Sequence, residues 1–430
     1  MEKLAQILIY LLMLFVTNIF GLFNVLEEYR LPGIGKPSDF VLIALNLLVI
    51  LKIFNQNYKI DLQKEINRLI KSNLLILAYI FFLVLYTVYI KNIETFNYSL
   101  RVASNFFYYS SFLFPIYLID DHKNFYRLIN FLRLGGWVTG LATIISNILG
   151  YNIASGVVSG EEGTFIRVYM PGFYNYFVVL LWFSSFLSKR KYRFKISYIE
   201  MIVNSLGIFL FLSRTRIIIL FLMIFFIFVF LTKSIGKRWR IIFAVSALVI
   251  GFILFLRIFN FPINTFVERF LVGYEQLKDP NQALTGRWLA ITLGYDIFIN
   301  SPIFGTGFVY PTSSYYQAYL TSFTGQALTN SADFGLVSIL YTTGIVGMIV
   351  ILNFIVKYLL FVYKYLKSMM YKNQINEQFI FSISIFAIIL FVFFVEQIAG
   401  NEFANKIMAV DLVAAGYSIK FLNNLSIRKE

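Results

Sequence analysis

The sequence predicts an all-α polytopic membrane protein of about twelve spans, and three observations carry that prediction. Hydrophobic residues make up 59% of the 430-residue chain, charged residues only 14%, and the mean hydropathy is +0.74. A soluble domain of this size has no interior large enough for that much apolar surface. The apolar residues fall in runs of about 20, the length of a helix crossing hydrocarbon, and not in the alternating segments of about 10 residues that build a barrel. Basic residues, 37 Lys plus Arg against 22 Asp plus Glu, lie mostly between these runs. There they set topology and touch lipid headgroups, so the net charge of +15 points to a membrane surface and not to nucleic acid.

Cysteine is absent and His122 is the single histidine. That composition excludes disulfides, thiol catalysis and thiolate metal sites. It also removes His-cluster metal sites and makes a Ser-His-Asp triad improbable, so no metal and no cofactor is expected.

Span 1 covers about Leu4–Phe23 and reads as a retained helix, because it lacks a short h-region with a small-residue cleavage site. A turn holding Pro32, Gly33, Gly35 and Pro37 ends it, and span 2 covers about Phe40–Phe54. Asn55–Ser72, with Lys59, Lys64, Arg68 and Lys71, reads either as an interfacial amphipathic helix or as a solvated basic loop. Spans 3 and 4 cover about Asn73–Ile90 and Val102–Ile119, and span 5, after a loop Asp120–Arg133, about Leu134–Leu149. A polar loop, Gly150–Met170, holds Glu161, Glu162 and Arg167 before span 6 at about Pro171–Ser188.

The densest basic run, Lys189–Lys195, comes next. From Ile196 to Thr232 the chain is apolar except for Glu200 and a break at Ser213-Arg214-Thr215-Arg216. At 1.5 Å per residue this stretch suffices for two spans and is too long for one. A second basic run, Lys233–Arg240, closes it, so both ends are expected inside and Arg214 and Arg216 outside. Span 9 covers about Ile241–Phe259, and a long external segment, residues 260–332, separates it from span 10 at about Gly344–Leu366. Spans 11 and 12 cover about Phe379–Val395 and Phe403–Leu422, leaving both termini cytoplasmic. Residues 1–430 form a single integral membrane domain with no fixed-period repeat.

The polar residues on the expected outer face define a candidate site. Arg214 and Arg216 read by themselves as helix-end arginines snorkelling to headgroups. Their place on an outer turn runs against the inside bias of this chain's arginines, which favours planar guanidinium groups gripping a diphosphate. Arg287 and Trp288, in Thr285-Gly286-Arg287-Trp288, pair a charge with a stacking surface that suits a sugar phosphate. Gly305-Thr306-Gly307 departs from the nucleotide-binding fingerprints and reads as a close backbone turn. Asp333, near Asn330 and Ser331, suits a helix N-cap and equally a general base toward a sugar hydroxyl. Glu161 and Glu162, and Glu396 and Glu402 flanking the turn after span 11, are alternative carboxylates on the same face that read first as solvated loop groups, and Arg167 is a further substrate-binding candidate. Asp411 lies mid-span and needs a partner at that depth, for which Lys357 in span 10 is the candidate.

Taken together, a Ser-Arg-Thr turn between two spans, Thr285–Trp288, Ser301-Pro302-Ile303-Phe304-Gly305-Thr306-Gly307, and an Asp before Gly344-Ile345-Val346-Gly347 occur in one order. That order resembles the Wzy-type oligosaccharide repeat-unit polymerases of the wider O-antigen ligase/polymerase superfamily. The ligases of that superfamily carry a histidine in the long external loop, and this chain has none there. The resemblance implies a GT-C-like, metal-independent glycosyltransferase in the bacterial cytoplasmic membrane, acting at the outer face on undecaprenyl-diphosphate-linked oligosaccharide. It implies that Arg214 and Arg287 hold the leaving diphosphate and that Asp333 activates the acceptor hydroxyl. Arg216, Arg167, Trp288, Asn330, Glu161 and Glu396 would then contact substrate. A chain-length regulator and a flippase are the partners such an enzyme would have. Ligase, or lipid-linked oligosaccharide flippase, are the alternative readings.

Overall fold

The computed structural model describes residues 2–17, 37–54, 64–119, 123–149, 161–162, 165–166, 172–188, 192–210, 214–232, 294–309, 313, 315, 335–396 and 407–427. The described residues are almost entirely helical: α1 (Glu2–Thr17), α2 (Pro37–Phe54), α3 (Lys64–Leu85, continued by a π turn Tyr86–Ile90), α4 (Phe96–Phe107), α5 (Leu113–Leu118) and α6 (Lys123–Leu149). They continue with α7 (Gly172–Ser188), α8 (Tyr198–Leu210), α9 (Arg214–Leu231), α10 (Gly335–Tyr371), α11 (Glu377–Phe391, continued by a π turn to Glu396) and α12 (Met408–Ile427). The strands described are β1 (Glu161–Glu162) and β2 (Phe165–Ile166), paired antiparallel. Five of the described helices are long and apolar enough to cross a membrane: Pro37–Phe54, Lys64–Ile90, Asn124–Leu149, Gly335–Tyr371 and Glu377–Val395. Shorter apolar helices cover Gly172–Ser188, Tyr198–Leu210 and Thr215–Leu231. The chain is a helical membrane protein. The expected span 9 lies outside the described residues.

The helices fall into two compact units, one of Met1–Phe131 with Arg287–Glu430, the other of Leu132–Gly286. In the first, α12 packs along α5, α11 and the 3₁₀ segment Tyr108–Phe112 that joins α4 to α5. The approach is close: a Cβ at Gly416 would stand 2.4 Å from the Phe112 carbonyl oxygen. Phe112 meets Phe354 edge-on at 5.0 Å, and Phe125 meets Phe421 and Phe381 at 4.6 and 5.3 Å, so rings seal the inter-helix seams. α3 runs antiparallel along α10, as three contacts spaced along both helices show: Lys364 with Glu65 at 2.6 Å, Lys357 with Ser72 at 2.9 Å, and Tyr79 with the Thr343 carbonyl at 2.6 Å.

In the second unit, α7 packs between α8 and α9. A polar ladder ties α6, α7 and α8. Thr139 Oγ1 donates to Asn175 Oδ1 at 3.0 Å, Asn175 Nδ2 to Asn204 Oδ1 at 2.9 Å, and Asn204 Nδ2 to the Glu200 carbonyl at 2.7 Å. Glycines let the helices close over it; a Cβ at Gly136 would stand 2.5 Å from Asn204 Oδ1. Among apolar helices such amides act as specific glue, since lipid offers them no other partner. Near the basic run, Arg133 pairs with Glu200 at 2.5 Å and also donates to the Lys195 carbonyl at 3.0 Å.

Two helix starts, the partner of Lys357 and the place of Asp411 differ from the hydropathy reading. Lys64–Ser72 is neither interfacial helix nor loop but the first turns of α3, because Ile66, Leu69, Ile70 and Asn73 form a buried helical stripe while Lys64, Arg68 and Lys71 stay exposed. Likewise α6 begins at Lys123, inside the expected loop, since Phe125, Leu128, Ile129 and Leu132 recur at helical spacing and are buried. Lys357 is not the partner of Asp411: its ammonium donates to Ser72 Oγ. Asp411 sits not mid-span but in the first turn of α12, and it is fully buried.

Asn175→Leu removes the middle of the ladder and strands buried groups on Thr139 and Asn204. We expect a stability loss of about 1–3 kcal/mol, read as a lower thermal unfolding midpoint in detergent. Asn175→Gln, which keeps the amide, should lose less.

Candidate functional site

α10 is not one continuous helix. Gly344 takes φ 68° and ψ −175° in its interior, a conformation that is essentially glycine-only, and divides it after Thr343. A broken helix strands backbone groups on both sides of the break, which lipid cannot satisfy. The segment Ser301–Phe308 satisfies them. The amides of Thr306 and Gly307 donate to the carbonyls of Tyr341 and Thr342 at 2.8 and 3.0 Å, capping the first half-helix. The amides of Ile345 and Val346, opening the second half-helix, donate to the carbonyls of Pro302 and Ile303 at 2.9 and 3.2 Å. Tyr79 from α3 takes the Thr343 carbonyl at 2.6 Å.

The close turn expected at Gly305-Thr306-Gly307 is present, with φ 70° and 78° at the two glycines. A Cβ at Gly305 would stand 2.4 Å from the Thr342 oxygen, so only glycine lets the loop enter the break. Thr306 is fully buried and also donates its hydroxyl to the Tyr341 carbonyl. Phe308 is held on the other side, its amide on Thr87 Oγ1 at 3.0 Å and its ring 5.2 Å from that of Phe106. Lys91, just past the α3 π turn, donates to Ser301 Oγ and to the Gly305 carbonyl, and lies 5.5 Å from the Tyr86 ring centre. Burial pushes the Lys91 ammonium below the usual lysine range. Sequence reasoning missed Lys91, Tyr79 and Thr87. Their partners lie more than 200 positions away, and only the polar interruption at the end of span 3 marks them.

In the second unit, Arg214 and Arg216 stand at the N-terminus of α9, between two apolar helices as the sequence indicates. Arg216 bends toward the start of α7: a Cβ at Gly172 would lie 3.5 Å from its guanidinium carbon. Tyr176, one turn along α7, donates its hydroxyl to the Arg216 carbonyl at 3.2 Å. The first N–H groups of a helix lack intrahelical partners and carry partial positive charge. A guanidinium beside them builds a locus suited to an anion with several oxygens, such as a phosphate. α7 starts at this locus and ends at Ser188, immediately before the Lys189–Lys195 run. Within this unit, therefore, the arginines and the basic run lie at opposite ends of one helix.

Of the other expected site residues, Glu161 lies in β1, paired with Ile166, and Glu396 closes the π turn after α11. Arg167, Arg287, Trp288, Asn330 and Asp333 lie outside the described residues. So do the contacts of the Arg214, Glu161 and Glu396 side chains.

Two outcomes test the plug at the break. Gly344→Ala forces a side chain into the φ 68° conformation, 2.2 Å from the Ile303 oxygen, and should cost about 1–3 kcal/mol or more, measured by thermal unfolding in detergent. Lys91 carries a protonation cost in the folded state, because burial lowers its pKa from 10.5. That cost is full below the folded pKa and is relieved as pH rises toward 10.5. Wild-type stability relative to Lys91→Met should therefore rise with pH through the range just under 10.5.

No curated protein matches the chain. A family model described as O-antigen ligase (Wzy_C) matches residues 201–352, a span that takes in Arg214, Arg216, Arg287, Asp333, the Ser301–Phe308 plug and the Gly344 break. That match supports the O-antigen ligase/polymerase superfamily, whose members act as glycosyltransferase-like enzymes on lipid-linked sugars, and it favours neither ligase nor polymerase.

Proposed function

We propose that the protein polymerises lipid-diphosphate-linked oligosaccharide repeat units by glycosyl transfer at the outer face of the bacterial cytoplasmic membrane. The observation that carries this reading is the Arg216 guanidinium set against the amino end of α7, inside the region matched by the family model. The same helix supports the proposed sidedness: its other end precedes the Lys189–Lys195 run, and the positive-inside bias favours the cytoplasm for such a run.

The donor is a glycan on undecaprenyl diphosphate, and the acceptor is one lipid-linked unit. An acceptor hydroxyl oxygen attacks the anomeric carbon of the donor while the bond to the diphosphate oxygen breaks. Asp333 takes the hydroxyl proton, and Arg214 and Arg287 stabilise the departing diphosphate, with Arg216 holding its position. Preorganised cations aimed at developing negative charge are among the largest contributions to such a transfer. Trp288 offers an apolar face to a sugar ring, and Asn330, Glu161, Glu396 and Arg167 offer polar contacts to sugar hydroxyls. A chain-length regulator and a flippase complete the pathway as partners. The second reading, ligation of a finished glycan to its carrier, is equally consistent with the family match. The lack of histidine in residues 260–332 speaks for the polymerase.

The test is complementation of a polymerase-deficient host that makes the matching repeat unit, reading the glycan ladder on a gel. Wild type should restore long chains. Arg214→Ala, Arg216→Ala, Arg287→Ala and Asp333→Asn should leave mostly single units at normal protein level, with turnover in membranes down roughly a hundredfold or more. Long chains made without the protein but left unattached to their carrier would identify a ligase instead.

A further inference from the structure

The end of α3 and α10 away from the Gly344 break carries a second cationic feature that the catalytic reading does not use. Lys64, Arg68 and Lys71 fall at helical spacing on one exposed stripe of α3. On α10, Lys357 and Lys364 reach α3 at Ser72 and Glu65, beside that stripe, and Lys367 is exposed one turn beyond Lys364. Glu65 is the one acidic side chain among these described turns, and it pairs with Lys364, so six cations share this end with a single carboxylate.

Lys357 is the telling member. It lies seven residues before Lys364, about 10 Å deeper along α10, yet it is exposed along the groove. Its ammonium rests on Ser72 Oγ, which also accepts from Asn353 Nδ2 at 3.4 Å. Ser72 in turn donates to the Arg68 carbonyl at 3.0 Å. A neutral hydroxyl orients the ammonium but leaves its charge uncompensated in a helix that is otherwise apolar there. A lysine at such depth is expensive unless an anion reaches it. Beside the cations the groove turns apolar: Leu75 is 50% exposed, Val356 41% and Leu360 62%.

We propose that the α3–α10 groove is a specific seat for an anionic phospholipid. Its phosphate lies on Lys357 and Lys364, its remaining headgroup oxygens lie against Lys64, Arg68 and Lys71, and an acyl chain runs along Leu75 and Leu360. The groove fits that occupant by charge and by order, cationic at the helix ends and apolar beside it. Basic pockets between spanning helices take such headgroups in this way.

The experiment uses the purified full chain in neutral detergent. Binding of phosphatidylglycerol, cardiolipin and phosphatidylcholine is read by native mass spectrometry and by the shift each lipid causes in the thermal unfolding midpoint. Anionic lipids should be retained and should raise the midpoint, while phosphatidylcholine does neither. Each basic residue near an anionic headgroup is worth roughly fivefold in affinity. Lys357→Met should therefore weaken retention roughly fivefold or more, and Lys64→Gln/Arg68→Gln/Lys71→Gln combined roughly a hundredfold. Lys372→Met, on the residue just past the end of α10, should leave retention unchanged. Inorganic phosphate in excess should fail to displace the lipid. Equal retention of phosphatidylcholine, an unchanged Lys357→Met variant, or displacement by free phosphate would each overturn the proposal. If Lys357→Met does not fold, Lys357→Arg, which keeps the charge, provides the remaining comparison: it should retain anionic lipid within a few fold of wild type, and loss of retention there would count against the groove.

Discussion

A broken helix among apolar helices is tolerable only if every backbone group at the break finds a partner, because lipid supplies none. That constraint organises the larger unit. Gly344 interrupts α10, and the Ser301–Phe308 segment closes the gap with four backbone hydrogen bonds, two on each half-helix. The surrounding features serve that closure. Tyr79 takes the Thr343 carbonyl, Thr87 holds Phe308, and Lys91 holds Ser301 and Gly305, so α3 and its π turn brace the loop. The glycine turn spends the Thr306 and Gly307 amides on the end of the first half-helix and the Phe308 amide on Thr87, so none of these three is left for a ligand.

The smaller unit answers a different need. Its helices are apolar on nearly every face, so the Thr139–Asn175–Asn204 ladder and the glycines that admit it fix which faces meet. The ladder ties α6, α7 and α8, while α9 packs on α7 so that the starts of α7 and α9 come together and Arg216 reaches Gly172. The cationic locus is therefore a product of packing as much as of charge. The Asn175 amide of the ladder lies within one turn of Gly172 and beside Tyr176, the two α7 residues that Arg216 meets.

The sequence made some of this legible and hid the rest for physical reasons. Helical membrane architecture, the hairpin headed by Arg214 and Arg216, the glycine turn at Gly305 and Gly307, and the start of a helix at Gly344 could be read from residue type, because apolar runs and positive-φ turns are local properties. Helix starts at Lys64 and Lys123 were hidden because their first turns are amphipathic and a hydropathy average discounts them. The partner of Lys357 was hidden because charge alone nominated Asp411, whereas geometry supplied Ser72. The plug's braces were hidden because hydrogen bonds between residues 79–91 and 301–343 leave no trace in local composition. Of the catalytic candidates, the described structure reaches the backbone of Arg214, while Arg287 and Asp333 rest on the order of short motifs.

The hydrogen bonds joining Thr306 to Tyr341 and Gly307 to Thr342 have a topological consequence. They tie Thr306 and Gly307 to Tyr341 and Thr342, so the chain segment between them begins and ends at the same clasp. A flexible segment closed at a fixed anchor tolerates changes in length cheaply, since doubling it costs only about 0.6 kcal/mol of closure entropy. Insertions or deletions between the two ends of the clasp therefore cost little closure entropy and leave the hydrogen bonds at the break as they are.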